Sequence, residues 1–121
     1  MQSLAVFVLM CAALVMSYEE KYDNLDADAI LADEERFNAY IACLLDKGEC
    51  TILHAQEFRE LLPEIVATAC AKCTDTQKKN LKKSVKALHE RKPAEFEEFK
   101  TKYDPEGEHQ QKFAKFVLSD D

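Results

Sequence analysis

The 121-residue sequence contains only two glycines, three prolines and no tryptophan. A fold made of many β-strands needs numerous tight turns, and glycine and proline are the usual residues at such turns. Their scarcity therefore argues against an all-β domain. The chain also lacks an Asn-x-Ser/Thr sequon, a G-x-S-x-G or H-E-x-x-H motif and a glycine-rich phosphate loop. No enzyme class is indicated by these patterns.

The chain has fewer basic than acidic residues, 16 against 23, and its net charge is −7. No basic patch with interleaved aromatic residues is evident, so we predict no nucleic-acid partner. The three histidines, His54, His89 and His109, have no nucleophile motif beside them, and we expect them to be partly exposed surface residues. We predict no catalytic residue, no metal site and no cofactor.

A long apolar run occurs only at the start of the chain, from Leu4 to Met16. A membrane-spanning helix needs about 20 such residues, so this run is too short and is typical of a signal peptide. We predict cleavage between Ser17 and Tyr18, which removes residues 1–17 together with Cys11 and leaves four cysteines. Residues 18–121 are then expected to form one secreted, monomeric domain without a transmembrane segment.

Apolar residues recur at helical spacing along the rest of the chain. Phe37, Tyr40, Ile41, Leu44 and Leu45 fall at i, i+3, i+4, i+7 and i+8, which is one face of a helix. Five further segments show similar spacing: Ala27, Ile30 and Leu31; Phe58, Leu61, Leu62, Ile65 and Val66; Leu81, Val85 and Leu88; Phe96, Phe99 and Tyr103; Phe113, Phe116 and Val117. The pattern predicts an all-α fold, a compact bundle of about six short helices.

Capping residues support this division into helices. Four segments begin with favourable residues: Asp26, Asp33, the capping-box pair Thr74 and Gln77, and Pro93. We expect Gly48 to end the second helix. We expect Pro63 to kink the third helix or divide it in two, because proline cannot donate the helical hydrogen bond.

The fourth helix carries five lysines, Lys78, Lys79, Lys82, Lys83 and Lys86. We expect them to lie opposite its apolar stripe, where they form the ordinary solvent-exposed face of an amphipathic helix. Docking of these lysines to an anionic membrane or a receptor is an alternative interpretation.

The four cysteines after the predicted signal peptide follow the pattern C-x6-C-x19-C-x2-C. In a small secreted protein such a set is typical of two disulfides, and of the three possible pairings local geometry favours Cys43–Cys50 and Cys70–Cys73. A zinc site that includes His54 is less favoured because secretion favours oxidised thiols. A redox role for the CxxC pair is also less favoured, since redox pairs occupy helix N-termini and this pair follows the end of a helix.

Several short motifs occur in order along nearly the whole chain after residue 17: Lys21-Tyr22-Asp23-Asn24, the run from Tyr40 to Cys50, Leu62-Pro63, Cys70-Ala71-Lys72-Cys73, Lys92-Pro93 and the run from Lys102 to Gly107. This ordered set resembles the insect chemosensory protein family, also called OS-D-like proteins. The resemblance implies about six helices around an apolar channel, with the first cysteine paired to the second and the third to the fourth. It also implies secretion into sensory lymph or haemolymph.

The resemblance further implies a non-enzymatic carrier of long-chain fatty acids, alcohols, esters or other semiochemicals. Pocket aromatics of the family match Tyr40, Phe96 and Phe113, and Tyr22 is a further candidate. The remaining expected pocket residues are apolar: Ile41, Leu44, Leu62, Ile65, Val66 and Val85. The alternative function is an extracellular interaction or developmental signalling protein whose interior is filled by its own side chains.

Two departures from the family pattern affect these expectations. The chain has nineteen residues between Cys50 and Cys70, where the family usually has eighteen, so the register of the third helix is expected to shift. Phe96 stands where relatives commonly have tryptophan, which removes an indole from the expected pocket wall. Ligand preference is therefore not transferable from a relative.

Overall fold

The structure, a computed structural model, describes residues 18–119, which form six α-helices after a short 3-10 turn at Glu20–Asn24. The helices are α1 (Ala27–Ala32), α2 (Glu34–Leu44), α3 (Ala55–Thr68), α4 (Asp75–Arg91), α5 (Pro93–Tyr103) and α6 (Gln110–Leu118). No strand occurs within residues 18–119. The predicted all-α fold is confirmed, and the predicted signal peptide, residues 1–17, lies outside the described residues.

Local hydrogen bonds start the helices where the capping residues predict. The Asp26 carboxylate accepts a hydrogen bond from the Ala29 amide at 3.0 Å, and Asp33 caps α2 in the same way. At α4 the Gln77 amide donates to the Thr74 hydroxyl, and the Thr74 amide donates to the Gln77 side chain, both at 3.1 Å. These bonds satisfy amide groups that the first turn of a helix otherwise leaves unpaired.

The prediction that Gly48 ends the second helix is wrong. The helix α2 ends at Leu44, and the left-handed residue that follows it is Asp46, with φ of 61°. Gly48 instead permits close packing, since a Cβ atom there would lie 3.3 Å from the Cβ atom of Ala42. The loop after α2 therefore folds back on the helix that it leaves.

Of the two outcomes expected at Pro63, a kink in the third helix or its division in two, the division does not occur. Pro63 lies inside α3, which is continuous from Ala55 to Thr68. Leu62, Ile65 and Val66 on either side of it are buried in the core. Burial of this apolar face outweighs the loss of one backbone hydrogen bond at the proline.

The helices α3 and α4 organise the bundle. The helix α3 packs against α2, α5 and α6, while α4 packs against α1, α5, α6 and the 3-10 turn. The most deeply buried large side chains are those of Phe37, Leu62, Cys43 and Cys70. Two of these four are disulfide cysteines, so both disulfides are anchored in the core.

The disulfides pair as predicted, Cys43 with Cys50 and Cys70 with Cys73. Their Cα atoms are 4.8 Å and 5.2 Å apart, within the normal range for a disulfide. Each closes a short loop at one corner of the bundle. Among residues 18–119 no cluster of three or more potential metal ligands occurs, and no helix is long and apolar enough to span a membrane.

The expectation that all five α4 lysines face solvent is wrong for Lys82. Its side chain is buried, with the ammonium nitrogen 2.8 Å from the hydroxyl of Ser119 and 4.9 Å from the ring centroid of Phe116. The aliphatic part of a lysine side chain packs readily in an apolar setting when its ammonium group reaches polar partners. Lys82 therefore joins α4 to the end of α6.

Two consecutive non-glycine residues, Ala69 and Cys70, adopt the left-handed conformation directly after α3, with φ of 53° and 63°. The Cβ atom makes this conformation unfavourable by about 1–2 kcal/mol for ordinary L-residues. The Cys70 amide donates to the Ile65 carbonyl at 2.9 Å, so the turn is held by a backbone hydrogen bond despite this cost.

We predict that Ala69→Gly stabilises the protein by about 1 kcal/mol, because glycine adopts positive φ without steric cost. Urea unfolding of the oxidised protein measures the change as a higher midpoint at an unchanged slope. The matched control is Ala39→Gly at an exposed position inside α2, which is expected to destabilise by about 1 kcal/mol. Equal destabilisation by both substitutions would contradict the left-handed assignment of Ala69.

Candidate functional site

The apolar core borders an inner cavity of about 40 Å³. This volume suits only a few water molecules, whereas ligand pockets typically measure about 300–1,000 Å³. The inner cavity lies between the N-terminal segment, α2, α3 and α4. Its lining residues are Tyr18, Tyr22, Leu25, Tyr40, His54, Phe58, Leu61, Ile65, Cys70, Cys73, Gln77, Asn80, Leu81 and Ser84.

The N-terminal segment, residues 18–25, forms one wall of the inner cavity. It is held to α3, α4 and the turn between them by hydrogen bonds that involve both its backbone and its side chains. The donor–acceptor pairs are the Tyr18 amide with the Lys72 carbonyl, the Tyr18 hydroxyl with Glu64, the Gln77 side chain with the Glu19 carbonyl, the Thr74 hydroxyl with Asp23, and the Asn80 side chain with the Leu25 carbonyl. These bonds therefore fix one wall of the cavity in place.

The side chain of Tyr40 is 4 % exposed and borders the inner cavity. Among residues 18–119 its hydroxyl has no hydrogen-bond partner. Every side-chain nitrogen or oxygen atom in this range that is fully shielded from solvent does have a partner. The hydroxyl consequently borders open space in the cavity. Burial raises the pKa of Tyr40 well above its usual value, so the hydroxyl stays protonated and available as a donor.

Three polar side chains contact the carboxylate of Glu57 beside the inner cavity. The Tyr22 hydroxyl donates to Glu57 at 2.7 Å, the Lys21 ammonium nitrogen lies 3.1 Å away, and the His54 Nδ1 atom lies 3.3 Å away. The hydrogen bond from Tyr22, followed by those from Lys21 and His54, lowers the pKa of Glu57 to about 2. The ring of Tyr22 also stands edge-on to the ring of His54, with centroids 5.4 Å apart.

An outer groove of about 560 Å³ lies between α3, α4, α5 and α6, and its volume falls within the range of ligand sites. Its apolar surface is formed by Val66, Val85, Phe96, Phe99, Tyr103, Phe113, Ala114, Val117 and Leu118. Its polar rim includes Lys86, His89, Glu97, Lys100, Asp104, Glu106 and Gln110. The groove is therefore an apolar trough with a charged edge.

Two aromatic side chains of the outer groove are held by specific contacts, one with residues of the groove rim and one with the backbone of α2. The Phe96 ring lies 4.8 Å from the His89 ring, measured between centroids, and 5.1 Å from the Lys100 ammonium nitrogen. The Tyr103 hydroxyl donates to the Leu44 carbonyl, and burial raises the pKa of Tyr103 to about 12. These contacts orient the rings and leave apolar surface towards the groove.

The predicted pocket residues fall into three groups in the structure. Tyr22, Tyr40 and Ile65 border the inner cavity, while Val66, Val85, Phe96 and Phe113 border the outer groove. The others, Ile41, Leu44 and Leu62, are buried core residues that border neither space. The sequence therefore places the right helices around the core but does not separate the two spaces.

The inner cavity and the outer groove are bordered by neighbouring residues of the same two helices. Ile65 and Val66, adjacent in α3, border one space each. On α4, Leu81 borders the inner cavity, and Val85, one turn later, borders the outer groove. The two spaces therefore lie next to each other along these two helices.

Several lining residues were not predicted as pocket residues. Phe58, Leu61, Phe99, Tyr103 and Val117 were identified as apolar helix faces, and periodicity alone does not distinguish a pocket wall from a filled core. His54, which lines the inner cavity, and its neighbour Glu57 do not belong to an apolar helix face, so no sequence pattern marked them. Glu57 is 35 residues from Tyr22 in the sequence, so only the folded chain brings them together.

Comparisons with known proteins agree with this architecture. Residues 18–111 match the insect pheromone-binding family A10/OS-D. The chain is 38% identical over 104 residues to ejaculatory bulb-specific protein 3 of Drosophila melanogaster, covering 86% of this chain and 82% of that protein. It is 35% identical over 115 residues to allergen Tha p 1 of Thaumetopoea pityocampa, covering 91% and 90%. A chemosensory protein solved in complex with bromo-dodecanol has a TM-score of 0.72 and 31% identity, covering 82% of this chain and 98% of that one.

We predict that the contacts of Glu57 stabilise the fold in a pH-dependent way. Its pKa in the folded protein is about 2, below the usual value of 4.5, so its contribution is present above about pH 4.5 and is lost as the pH falls through about 2. Urea unfolding at pH 7, 4 and 2.5 is expected to show a weaker loss of stability in Glu57→Gln than in the parent protein. High salt reduces the difference, because the group is exposed.

Glu60→Gln is the control for this experiment, because Glu60 is an exposed α3 residue with no ion pair in the described part of the chain. It is expected to follow the pH dependence of the parent protein. Identical pH profiles for Glu57→Gln and the parent would contradict the prediction.

Proposed function

Because this chain belongs to the insect pheromone-binding family A10/OS-D, we propose that it carries small hydrophobic molecules in its apolar interior. The main support is the outer groove of about 560 Å³, lined by valine and aromatic side chains, with the inner cavity beside it. A related chemosensory protein has been solved in complex with bromo-dodecanol. Long-chain alcohols, fatty acids and esters are therefore the ligand classes to test.

The ligand chain is proposed to lie in the outer groove against Phe96 and Phe113. Its oxygen-bearing end is proposed to reach the inner cavity through a rearrangement of side chains near Ile65 and Val66. There the unpaired Tyr40 hydroxyl is available to an alcohol or carbonyl oxygen, and a buried donor gains most from such a partner.

The expected affinity follows from the apolar surface that a ligand buries. Burial of about twelve methylene groups contributes roughly 10 kcal/mol at about 0.8 kcal/mol each. Loss of translational and conformational freedom offsets several kcal/mol of this. Dissociation constants near micromolar are therefore expected, with modest selectivity between head groups.

We also propose that the protein is exported and acts outside the cell as a monomer, in lymph or haemolymph. The family match begins at Tyr18, the residue that follows the predicted cleavage site. Protein collected from the medium of expressing insect cells is expected to begin at Tyr18. Amino-terminal sequencing checks this, and retention of residues 1–17 in the secreted protein would contradict it.

The carrier role is tested by displacement of a fluorescent apolar probe from the oxidised protein by C12 to C18 alcohols, acids and esters. Ala114→Trp places a large side chain in the outer groove, because Ala114 lines it, and is expected to weaken binding by about tenfold or more. The matched control is Ala94→Trp, at an exposed α5 position outside both spaces, which is expected to leave binding unchanged. Each variant contains a single tryptophan, and in Ala114→Trp its fluorescence also reports ligand contact.

The same assay tests the role of Tyr40 through Tyr40→Phe, which removes only the hydroxyl. Loss of one hydrogen bond is expected to weaken binding of dodecanol by about threefold to tenfold. Binding of an apolar probe without an oxygen function is expected to remain unchanged.

A well-folded protein that takes up neither probe nor lipid would overturn the carrier role and favour an extracellular signalling protein with a filled core.

A further inference from the structure

The basic residues of this acidic protein are concentrated in two helices that pack on each other. Together α4 and α6 carry eight lysines or arginines and only two acidic residues, Asp75 and Glu90. The rest of the chain has eight basic residues against 21 acidic ones. The molecule therefore has one basic face and a strongly acidic remainder.

Within residues 18–119, most lysines of this face form no ion pair. Elsewhere in residues 18–119, seven of the eight basic side chains pair with carboxylates, as in Arg59 with Asp46 or Lys72 with Glu64, and Arg36 is the exception. On α4, Lys83 pairs with Asp28. No carboxylate of residues 18–119 pairs with the remaining lysines of the face that point away from the core: Lys78, Lys79, Lys86, Lys112 and Lys115. Their charge is therefore available to an external partner.

Contacts of Lys82 make the lysines of the two helices parts of one surface. Its ammonium nitrogen reaches Ser119 and the Phe116 ring at the end of α6. Lys112 and Lys115 precede these residues on α6, while Lys78 and Lys86 lie one turn to either side of Lys82 on α4. The basic surface therefore crosses the α4–α6 junction.

An exposed apolar residue stands beside these lysines. Leu118 is 72 % exposed, and it borders the outer groove together with Lys86. Basic side chains around an exposed leucine are typical of surfaces that bind at the interface of an anionic membrane. Binding to a nucleic acid through charge alone would gain nothing from the exposed leucine.

From these observations we propose that the α4–α6 face docks on anionic lipid membranes, with its five unpaired lysines at the head groups and Leu118 inserted between them. The net charge of −7 does not prevent this, because the Debye length is only about 8 Å at physiological salt and acidic residues elsewhere are screened. Docking brings the opening of the outer groove to the lipid surface. The docking does not depend on the carrier role.

The test is co-sedimentation of the full secreted protein with vesicles. Vesicles of phosphatidylcholine with about 30% phosphatidylserine are expected to bind the protein at low salt, and phosphatidylcholine vesicles to bind it weakly. Binding is expected to fall sharply at about 0.5 M salt, where the interaction is screened. Lys79→Gln combined with Lys115→Gln is expected to weaken binding by about 10- to 30-fold, since each basic residue contributes about fivefold.

The control variant has the same net charge but an unchanged basic face. Asn38→Asp combined with Gln56→Glu also removes two units of charge, at exposed positions of α2 and α3, and is expected to bind vesicles almost normally. Leu118→Ser is expected to weaken binding at constant charge. Apolar-probe binding by each variant, measured in parallel, reports folding and the carrier role separately.

Three results would overturn the proposal. The first is equal binding to vesicles with and without phosphatidylserine, and the second is equal loss in the lysine and control variants. The third is absence of vesicle binding by a protein that binds an acidic polypeptide or nucleic acid, which would assign the basic face to a macromolecular partner instead.

Discussion

The turn closed by the Cys70–Cys73 disulfide sets the arrangement on which the rest of the structure depends. Cys70 is fully buried, and Ala69 and Cys70 both adopt the left-handed conformation, so α3 ends there and the chain turns towards α4. Thr74 begins α4 immediately afterwards with its capping box. The Lys72 carbonyl of the same turn accepts a hydrogen bond from the Tyr18 amide at 2.8 Å, which positions the N-terminal segment. One four-residue loop thus ends α3, leads into α4 and positions a wall of the inner cavity.

The disulfides are local, and this has a consequence for the interior. Each closes a short loop, which constrains the unfolded chain less than a long one. Neither ties one helix to a distant helix, so the helices are held together mainly by apolar packing. The two spaces are bordered by residues as close in the chain as Ile65 and Val66. An interior of this kind suits a carrier that adjusts to ligands of different length.

Charge is distributed in a way that complements this interior. Acidic residues dominate outside α4 and α6, where many of them pair with basic side chains, and Glu57 and Asp46 each receive more than one such partner. The unpaired lysines lie on α4 and α6, the helices that also form one side of the outer groove. The proposed membrane contact and the proposed ligand site therefore share two helices. A ligand leaving a membrane would have a short path to the apolar groove.

Local features of the sequence determined the helices, their capping residues, the disulfide pairing and the family resemblance, which the match over residues 18–111 confirms. They could be predicted because capping, helical periodicity and short loop closure act between residues close in sequence. Only the tertiary structure decided that α3 runs through Pro63, that Lys82 is buried and that Glu57 meets Tyr22. It also decided which apolar residues border a space and which fill the core. These features depend on packing between distant segments, which periodicity along one helix does not encode.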